Sequence, residues 1–148
     1  MKTAILMIIA IAMLMPLALL AQKPDDITGV WYNGEKTSKI EVFKTTAGNY
    51  AGRIVWLKVP NDAAGIPRVD KDNPEASLRA RPLMGLVVLT GLNVKANAKY
   101  DGGKIYDPKS GKTYSSKAEF DGIDNLKLRG YIGVSIVGRT DTWTRTTK

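Results

Sequence analysis

The feature that most constrains this chain is a series of short strand-like runs separated by turn residues. Residues 39–43 alternate polar and apolar side chains, which is the period of a half-buried strand. The dipeptides Asn33-Gly34 and Gly48-Asn49 are typical of tight hairpin turns. No long amphipathic helical pattern competes with the runs. The runs span residues 27–32, 39–43, 50–57, 83–92, 98–106, 113–120, 126–131 and 137–146.

About eight strands at near-regular spacing indicate an all-β fold, and their hairpin connections favour an antiparallel up-and-down β-barrel. In a sheet that closes on itself, the first and last strands must pair. Trp31 lies in the first run and Arg145 in the last. A guanidinium stacked on the indole would contribute about 0.5–2 kcal/mol of cation–π attraction. We therefore predict that Trp31 and Arg145 close the barrel.

The first residues have the pattern of a secretory signal peptide. Lys2 provides the basic start, residues 3–20 are almost wholly apolar, and Ala21 is a small residue at the cleavage point. We expect removal of residues 1–21 and a single domain over residues 22–148, so that the processed protein is periplasmic or secreted and keeps no stable membrane anchor. The alternative is an uncleaved anchor, because the apolar run is long enough to span a bilayer.

Cysteine and histidine are both absent from the chain. This excludes disulfides, thiol nucleophiles, histidine-bound zinc and the Ser-His-acid triad. Glu119 and Asp121 are conceivable as paired carboxylates, but no motif distinguishes them from surface residues. We therefore expect a protein that is not an enzyme and that needs no cofactor or metal.

The net charge is +8, and the basic residues are spread along the chain. A basic surface favours anionic partners such as lipid headgroups or polysaccharide. Nucleic acid is a poor match for an exported chain, so we expect no nucleic-acid partner.

The last run places Arg139, Asp141, Trp143 and Arg145 on one face and four threonines on the other, because strand side chains alternate. If the charged face points inward, Arg139 and Arg145 flank Asp141, and Arg139 could bind a carboxylate or phosphate head, since arginine presents a planar fork of donors to such groups. Arg139, Asp141 and Trp143 are therefore candidate ligand-binding residues. The alternative is a structural seam in which Arg145 stacks on Trp31 and Asp141 pairs with Arg139.

The third run places Tyr50, Ile54 and Trp56 on a common face, with Gly52 between them. These three residues are candidates to line an apolar cavity, and ordinary packed core is the alternative reading. Tyrosine hydroxyls elsewhere would suit a polar rim or the strand surface. They belong to Tyr100, Tyr106 and Tyr114.

Residues 59–82 form one long proline-rich loop. Loops of this length are often lids or binding loops, and the alternative is a disordered insertion. Within it, Asp70, Asp72, Asn73 and Glu75 are rich in oxygen, but their spacing departs from the known calcium loop. Turn chemistry and a helix cap before Pro74 explain them better.

Several segments together resemble a bacterial exported family, domain of unknown function 2147. They are residues 50–57, 72–74, 102–114, 128–133 and 138–145. The resemblance implies a calycin-like or lipocalin-like barrel, and Gly29-Val30-Trp31 also resembles the first-strand signature of lipocalins. It implies no established activity, since one fold hosts many functions.

Two functional hypotheses follow. The first is a non-enzymatic barrel that holds a small amphipathic or lipid-like ligand in its interior, under the loop 59–82. The second is an envelope structural or interaction module with a filled barrel, whose residues 83–92, apolar on both faces, form an exposed edge that pairs with another chain.

Overall fold

The computed structural model describes residues 26–147 as a closed barrel of eight antiparallel strands. Each strand pairs with its neighbours in chain order, and β1 pairs with β8, so the predicted up-and-down barrel is confirmed. A single turn of 3-10 helix, Ala76–Leu78, lies between β3 and β4. The strands are β1 Gly29–Tyr32, β2 Ser38–Lys44, β3 Tyr50–Leu57, β4 Val87–Ala96, β5 Lys99–Asp107, β6 Lys112–Phe120, β7 Asn125–Tyr131 and β8 Gly138–Thr146.

The expected signal peptide, residues 1–21, lies outside the described residues. Among residues 26–147, no helical segment has the length and apolar character needed to cross a membrane.

One end of the barrel is closed by the segment that precedes β1, next to the seam along which β1 pairs with β8. Trp31 pairs with Arg145 across the seam, and the Arg145 guanidinium lies 4.1 Å from the centroid of the indole. Arg145 also donates hydrogen bonds of 2.9 Å to the carbonyl oxygens of Thr28 and Asp26. The segment before β1 is therefore tied across this end of the barrel, and Trp31 is completely buried beneath it.

Aromatic rings fill the half of the barrel next to the closed end. Phe120 packs edge-on against Trp31 at 5.9 Å, and Tyr50 packs edge-on against Tyr100 at 5.4 Å between ring centroids. Leu89 and Leu92 complete this packed core. Such edge-to-face pairs fill volume with large rigid groups, so this half is the packed core of the barrel.

A β-bulge in β3 corrects the prediction for Trp56. Ile40 of β2 pairs with Ile54, but the preceding Lys39 pairs with Trp56, so Val55 is an extra residue in β3. The extra residue reverses the alternation, so Trp56 faces outward beside Lys39. Trp56 is 36% exposed on the outer wall and cannot line the interior.

The predicted exposed edge at residues 83–92 is also wrong. β4 pairs with β3 on one side and with β5 on the other, so its backbone groups have partners on both sides. Residues 83–86 precede the strand, and Leu86 and Leu89 are buried in the core. Closure of the barrel removes the free edge that pairing with another chain would need.

Candidate functional site: an apolar cavity with a basic mouth

The half of the barrel opposite the closed end contains a cavity of about 840 Å³. Its wall is formed by inward-facing apolar side chains from six of the strands. They are Ile40, Ile54, Leu57, Val88, Ile105, Leu128 and Trp143. These are mostly branched aliphatic groups rather than the aromatic rings of the closed half, and shorter side chains leave the axis of the barrel open.

The mouth of the cavity is built by the four connections that an up-and-down barrel gathers at one end. These connections join β1 to β2, β3 to β4, β5 to β6 and β7 to β8. Each contributes to the lining, for example through Glu35, Lys58, Lys109 and Val137. The predicted loop 59–82 lies here, between β3 and β4, and Val59 and Arg68 from it border the cavity.

Four of the six predicted ligand-binding residues line this cavity: Ile54, Arg139, Asp141 and Trp143. Tyr50 does not, because its ring lies in the packed half of the barrel against Tyr100. The alternation of β3 assigns Tyr50 to the correct face, but it does not fix the height of the side chain along the barrel axis. The prediction of Tyr50 as a cavity residue is therefore wrong.

Asp141 is held by neutral donors rather than by a cation. Its Oδ2 accepts hydrogen bonds from Trp143 Nε1 at 2.9 Å and from the Gly34 backbone N–H at 3.3 Å. The alternative pairing of Asp141 with Arg139 is thus not observed among residues 26–147. Gly34 suits this approach, because a Cβ there would overlap Asp141 Oδ1.

The mouth carries cations that no acidic side chain neutralises directly. Within residues 26–147, Lys58, Arg68 and Arg139 form no ion pair. Lys109 differs, because its Nζ donates to Glu35 at 2.9 Å, and this hydrogen bond lowers the pKa of the Glu35 carboxyl. The lining holds four cations, Lys58, Arg68, Lys109 and Arg139, against the carboxylates of Glu35, Asp107 and Asp141. The excess of one positive charge favours anionic groups at the entrance.

A buried carboxylate fixes the long connection between β3 and β4 to the barrel. Asp70 is completely buried. Its Oδ1 accepts from the Tyr106 hydroxyl of β5 at 2.5 Å, and its Oδ2 accepts from Asn73 Nδ2 at 2.8 Å and Arg81 Nε at 2.9 Å. Arg81 also forms an ion pair with Asp70 at 2.8 Å. The connection is therefore pinned at its middle, which sets the shape of one side of the mouth.

The oxygen-rich segment 70–75 serves turn chemistry. Asn73 Oδ1 accepts from the Glu75 backbone N–H at 2.9 Å, which forms an Asx turn ahead of the 3-10 turn. No group of acidic side chains in the described part of the chain is arranged to hold a metal ion.

Sequence reasoning missed the Asp70 network because its members are distant in the chain. Arg81 is 11 residues and Tyr106 is 36 residues from Asp70, so no local spacing identifies them. For Tyr106 the sequence indicates only a polar rim or a strand-surface position. The one available signal was an aspartate in a proline-rich loop followed by two arginines, Arg79 and Arg81.

Acid is expected to weaken the fold through Asp70. Burial alone would raise the pKa of the Asp70 carboxyl, but hydrogen bonds from Tyr106, Asn73 and Arg81 outweigh burial and hold the pKa below its ordinary value. A carboxyl with a lowered folded-state pKa contributes stability that is fully present above the unfolded value of about 3.9 and is lost as the pH falls through the folded-state value. Urea unfolding measured between pH ~6 and pH ~2 should therefore show that the free energy of unfolding falls more steeply for the wild type than for Asp70→Asn. Parallel curves would contradict this.

Comparison with known proteins supports the architecture. Residues 29–145 match a family described as "Uncharacterized protein conserved in bacteria (DUF2147)". A solved structure described as "Protein HP1028 from the human pathogen Helicobacter pylori belongs to the lipocalin family" aligns with a TM-score of 0.73 at 26% identity, over 83% of this chain and 84% of that chain. No curated protein matches the chain.

Proposed function

The chain belongs to the DUF2147 family and has a lipocalin-like barrel, and from this premise we propose that it is an exported, non-enzymatic protein that binds a small amphipathic, lipid-like ligand in its interior. The observation that carries the proposal is the cavity of about 840 Å³. Ligand sites are typically clefts of about 300–1,000 Å³ with mostly apolar walls and a few placed polar groups.

The distribution of side chains gives the ligand an orientation. Apolar groups such as Ile54 and Leu128 line the inner wall, whereas Lys58, Arg68 and Arg139 border the entrance. An apolar tail would lie inside, where its burial removes apolar surface from water. An acidic head would lie at the entrance, where arginine can form paired charge-assisted hydrogen bonds with a carboxylate or phosphate.

Two observations favour this proposal over a filled barrel with an exposed pairing edge. A cavity lies in the interior, and β4 is paired along both sides. The proposed periplasmic or secreted location rests on the apolar segment 3–20 and Ala21. Mass spectrometry of the protein from cell fractions tests it, with loss of residues 1–21 as the expected result and retention of that segment as the contrary one.

Displacement of a fluorescent fatty acid from the protein tests ligand binding. We expect saturable binding of the probe and about tenfold weaker binding by Ile54→Trp, because the added ring occupies part of the cavity. Thr90→Trp, which places the same ring on the exposed outer wall of β4, is the matched control and should bind normally. Absence of saturable binding, or equal loss in both variants, would refute the proposal.

The basic entrance is tested with a matched pair of probes. Arg139→Ala should weaken the binding of a fatty acid by about tenfold, since a hydrogen bond to a charged group contributes about 1.5–3 kcal/mol. The variant should bind the corresponding fatty alcohol nearly as well as the wild type does. Lys44→Ala removes an exposed cation at the closed end and is the control. If Arg139→Ala bound the fatty acid and the fatty alcohol with equally reduced affinity, the acidic head would not contact Arg139.

A further inference from the structure

The connection between β7 and β8, residues 132–137, exposes an unusual set of aliphatic side chains. Ile132, Val134, Ile136 and Val137 are all more than half exposed, and Ile136 reaches 83%. Ile132 and Val137 also border the cavity. Exposed aliphatic groups cost free energy in water, and a contiguous apolar patch marks a surface that contacts something else.

The carbonyl groups at the tip of this connection accept hydrogen bonds from within the protein. Arg129 donates from Nε to the carbonyl of Ser135 and from Nη2 to the carbonyl of Ile136, at 2.5 and 3.0 Å. The carbonyls of Val134 and Val137 accept from the backbone N–H groups of Val137 and Ile132, at 3.0 and 3.3 Å. Four consecutive carbonyls, those of residues 134–137, are thus satisfied within the protein. Such a segment can enter an apolar medium without leaving these acceptors unpaired.

A second connection brings apolar and cationic groups to the same end of the barrel. Val59, Ile66 and Met84, all from the segment between β3 and β4, are exposed by between 44% and 59%. Lys58 and Arg68 from this segment carry no ion pair among residues 26–147. Long basic side chains can lay their stems along an apolar boundary and keep their charges at a polar surface.

The opposite end of the barrel has a different character. Its connection between β6 and β7, residues 121–124, carries Asp121 and Asp124 around a single exposed aliphatic residue, Ile123. Asp121 pairs with Lys127 at 3.0 Å and Asp124 lies 3.9 Å from Arg145, so this connection presents one exposed aliphatic side chain and no cation of its own. The difference between the connections 132–137 and 121–124 therefore indicates which end would face an apolar, anionic surface.

We propose that the open end docks onto an anionic lipid bilayer, with the connection 132–137 inserted among the lipids and the cations of the mouth at the headgroups. Apolar side chains on a hydrogen-bonded tip favour a lipid interior, and the adjacent free cations favour anionic headgroups. Docking would place the entrance of the cavity directly against the membrane. The inference goes beyond ligand binding and does not depend on it.

Vesicle sedimentation tests the docking. Residues 26–147 form the complete closed barrel, so the chain from Gln22 onward is used and the apolar segment 3–20 does not contribute. We expect binding to phosphatidylcholine vesicles that contain phosphatidylglycerol, and about tenfold weaker binding to pure phosphatidylcholine. The double variant V134S/I136S should bind the anionic vesicles at least about tenfold more weakly than the wild type, because it removes the inserted apolar groups. Ile123→Ser at the closed end is the matched control and should bind as the wild type does.

A second measurement leaves the aliphatic groups unchanged. The chain contains no cysteine, so Ser135→Cys can be labelled with a polarity-sensitive dye. Its emission should shift to the blue on addition of anionic vesicles, whereas the same dye on Ile123→Cys should not respond. Ile54→Trp, with its narrowed cavity, should dock normally, which separates docking from ligand binding.

Three results would overturn the proposal. One is that the wild type does not bind the anionic vesicles. Another is that V134S/I136S and Ile123→Ser bind equally well. The third is that gel filtration shows concentration-dependent self-association lost in V134S/I136S while vesicles leave the dye unchanged, which would assign the surface to a second copy of the chain.

Discussion

Replacement of Trp31 by alanine is expected to lower the free energy of unfolding by about 4 kcal/mol. Trp31 is completely buried, and truncation of a buried tryptophan costs about 3–5 kcal/mol. The change also removes the stacking of Arg145 at 4.1 Å and the hydrogen bond from Trp31 Nε1 to the Ile27 carbonyl at 2.9 Å. Urea unfolding followed by circular dichroism measures the loss.

Trp56→Ala is the matched control for this experiment. Trp56 lies on the outer wall, where it packs edge-on against Tyr32 and carries Lys39 over its ring at 5.8 Å. Loss of these exposed contacts should cost about 1 kcal/mol. If the two alanine variants were equally destabilised, the contact of Trp31 with Arg145 would not be the main stabilising contact of the seam.

Replacement of Asp70 by alanine is expected to cost about 2–4 kcal/mol, since it leaves the Asn73 amide and the Tyr106 hydroxyl without their acceptor, and each buried unsatisfied donor costs about 1–3 kcal/mol. Arg81 adds little, because its side chain is 37% exposed and can be solvated. The variant would leave Arg81, Tyr106 and Asn73 without their common acceptor. We expect the connection between β3 and β4 to detach from β5, with faster proteolysis at residues 58–86.

Asp72→Ala provides the comparison for this variant. Asp72 lies two residues away in the same connection, but its side chain is exposed. Its replacement should change the free energy of unfolding by less than about 0.5 kcal/mol. Equal proteolysis of both variants would show that Asp70 does not pin the connection.

The strands and their order followed from local signals. Alternation at residues 39–43 and turn pairs such as Asn33-Gly34 act over a few residues, so the sequence itself carries them. Closure followed because Trp31 in the first strand and Arg145 in the last can stack where the two ends of an up-and-down sheet meet.

The errors within the site have identifiable physical causes. Val55, Trp56 and Leu57 are all apolar, so the pattern of β3 is the same with or without a bulge, and the outward turn of Trp56 leaves no trace in the sequence. Tyr50 was placed on the correct face but at the wrong height, because height depends on the stagger between strands. The burial of Asp70 was missed because the side chains that hold it, Arg81 and Tyr106, lie 11 and 36 residues further along the chain.

The seam between β1 and β8 also determines how the protein can be handled. β8 runs from the mouth towards the closed end, and β1 starts from that same end. Attachment to a sensor chip next to Asp26 or Thr147, the ends of the described residues, would thus leave the entrance of the cavity facing the solution. Kinetics measured on such a surface would report entry of the proposed ligand without obstruction by the support.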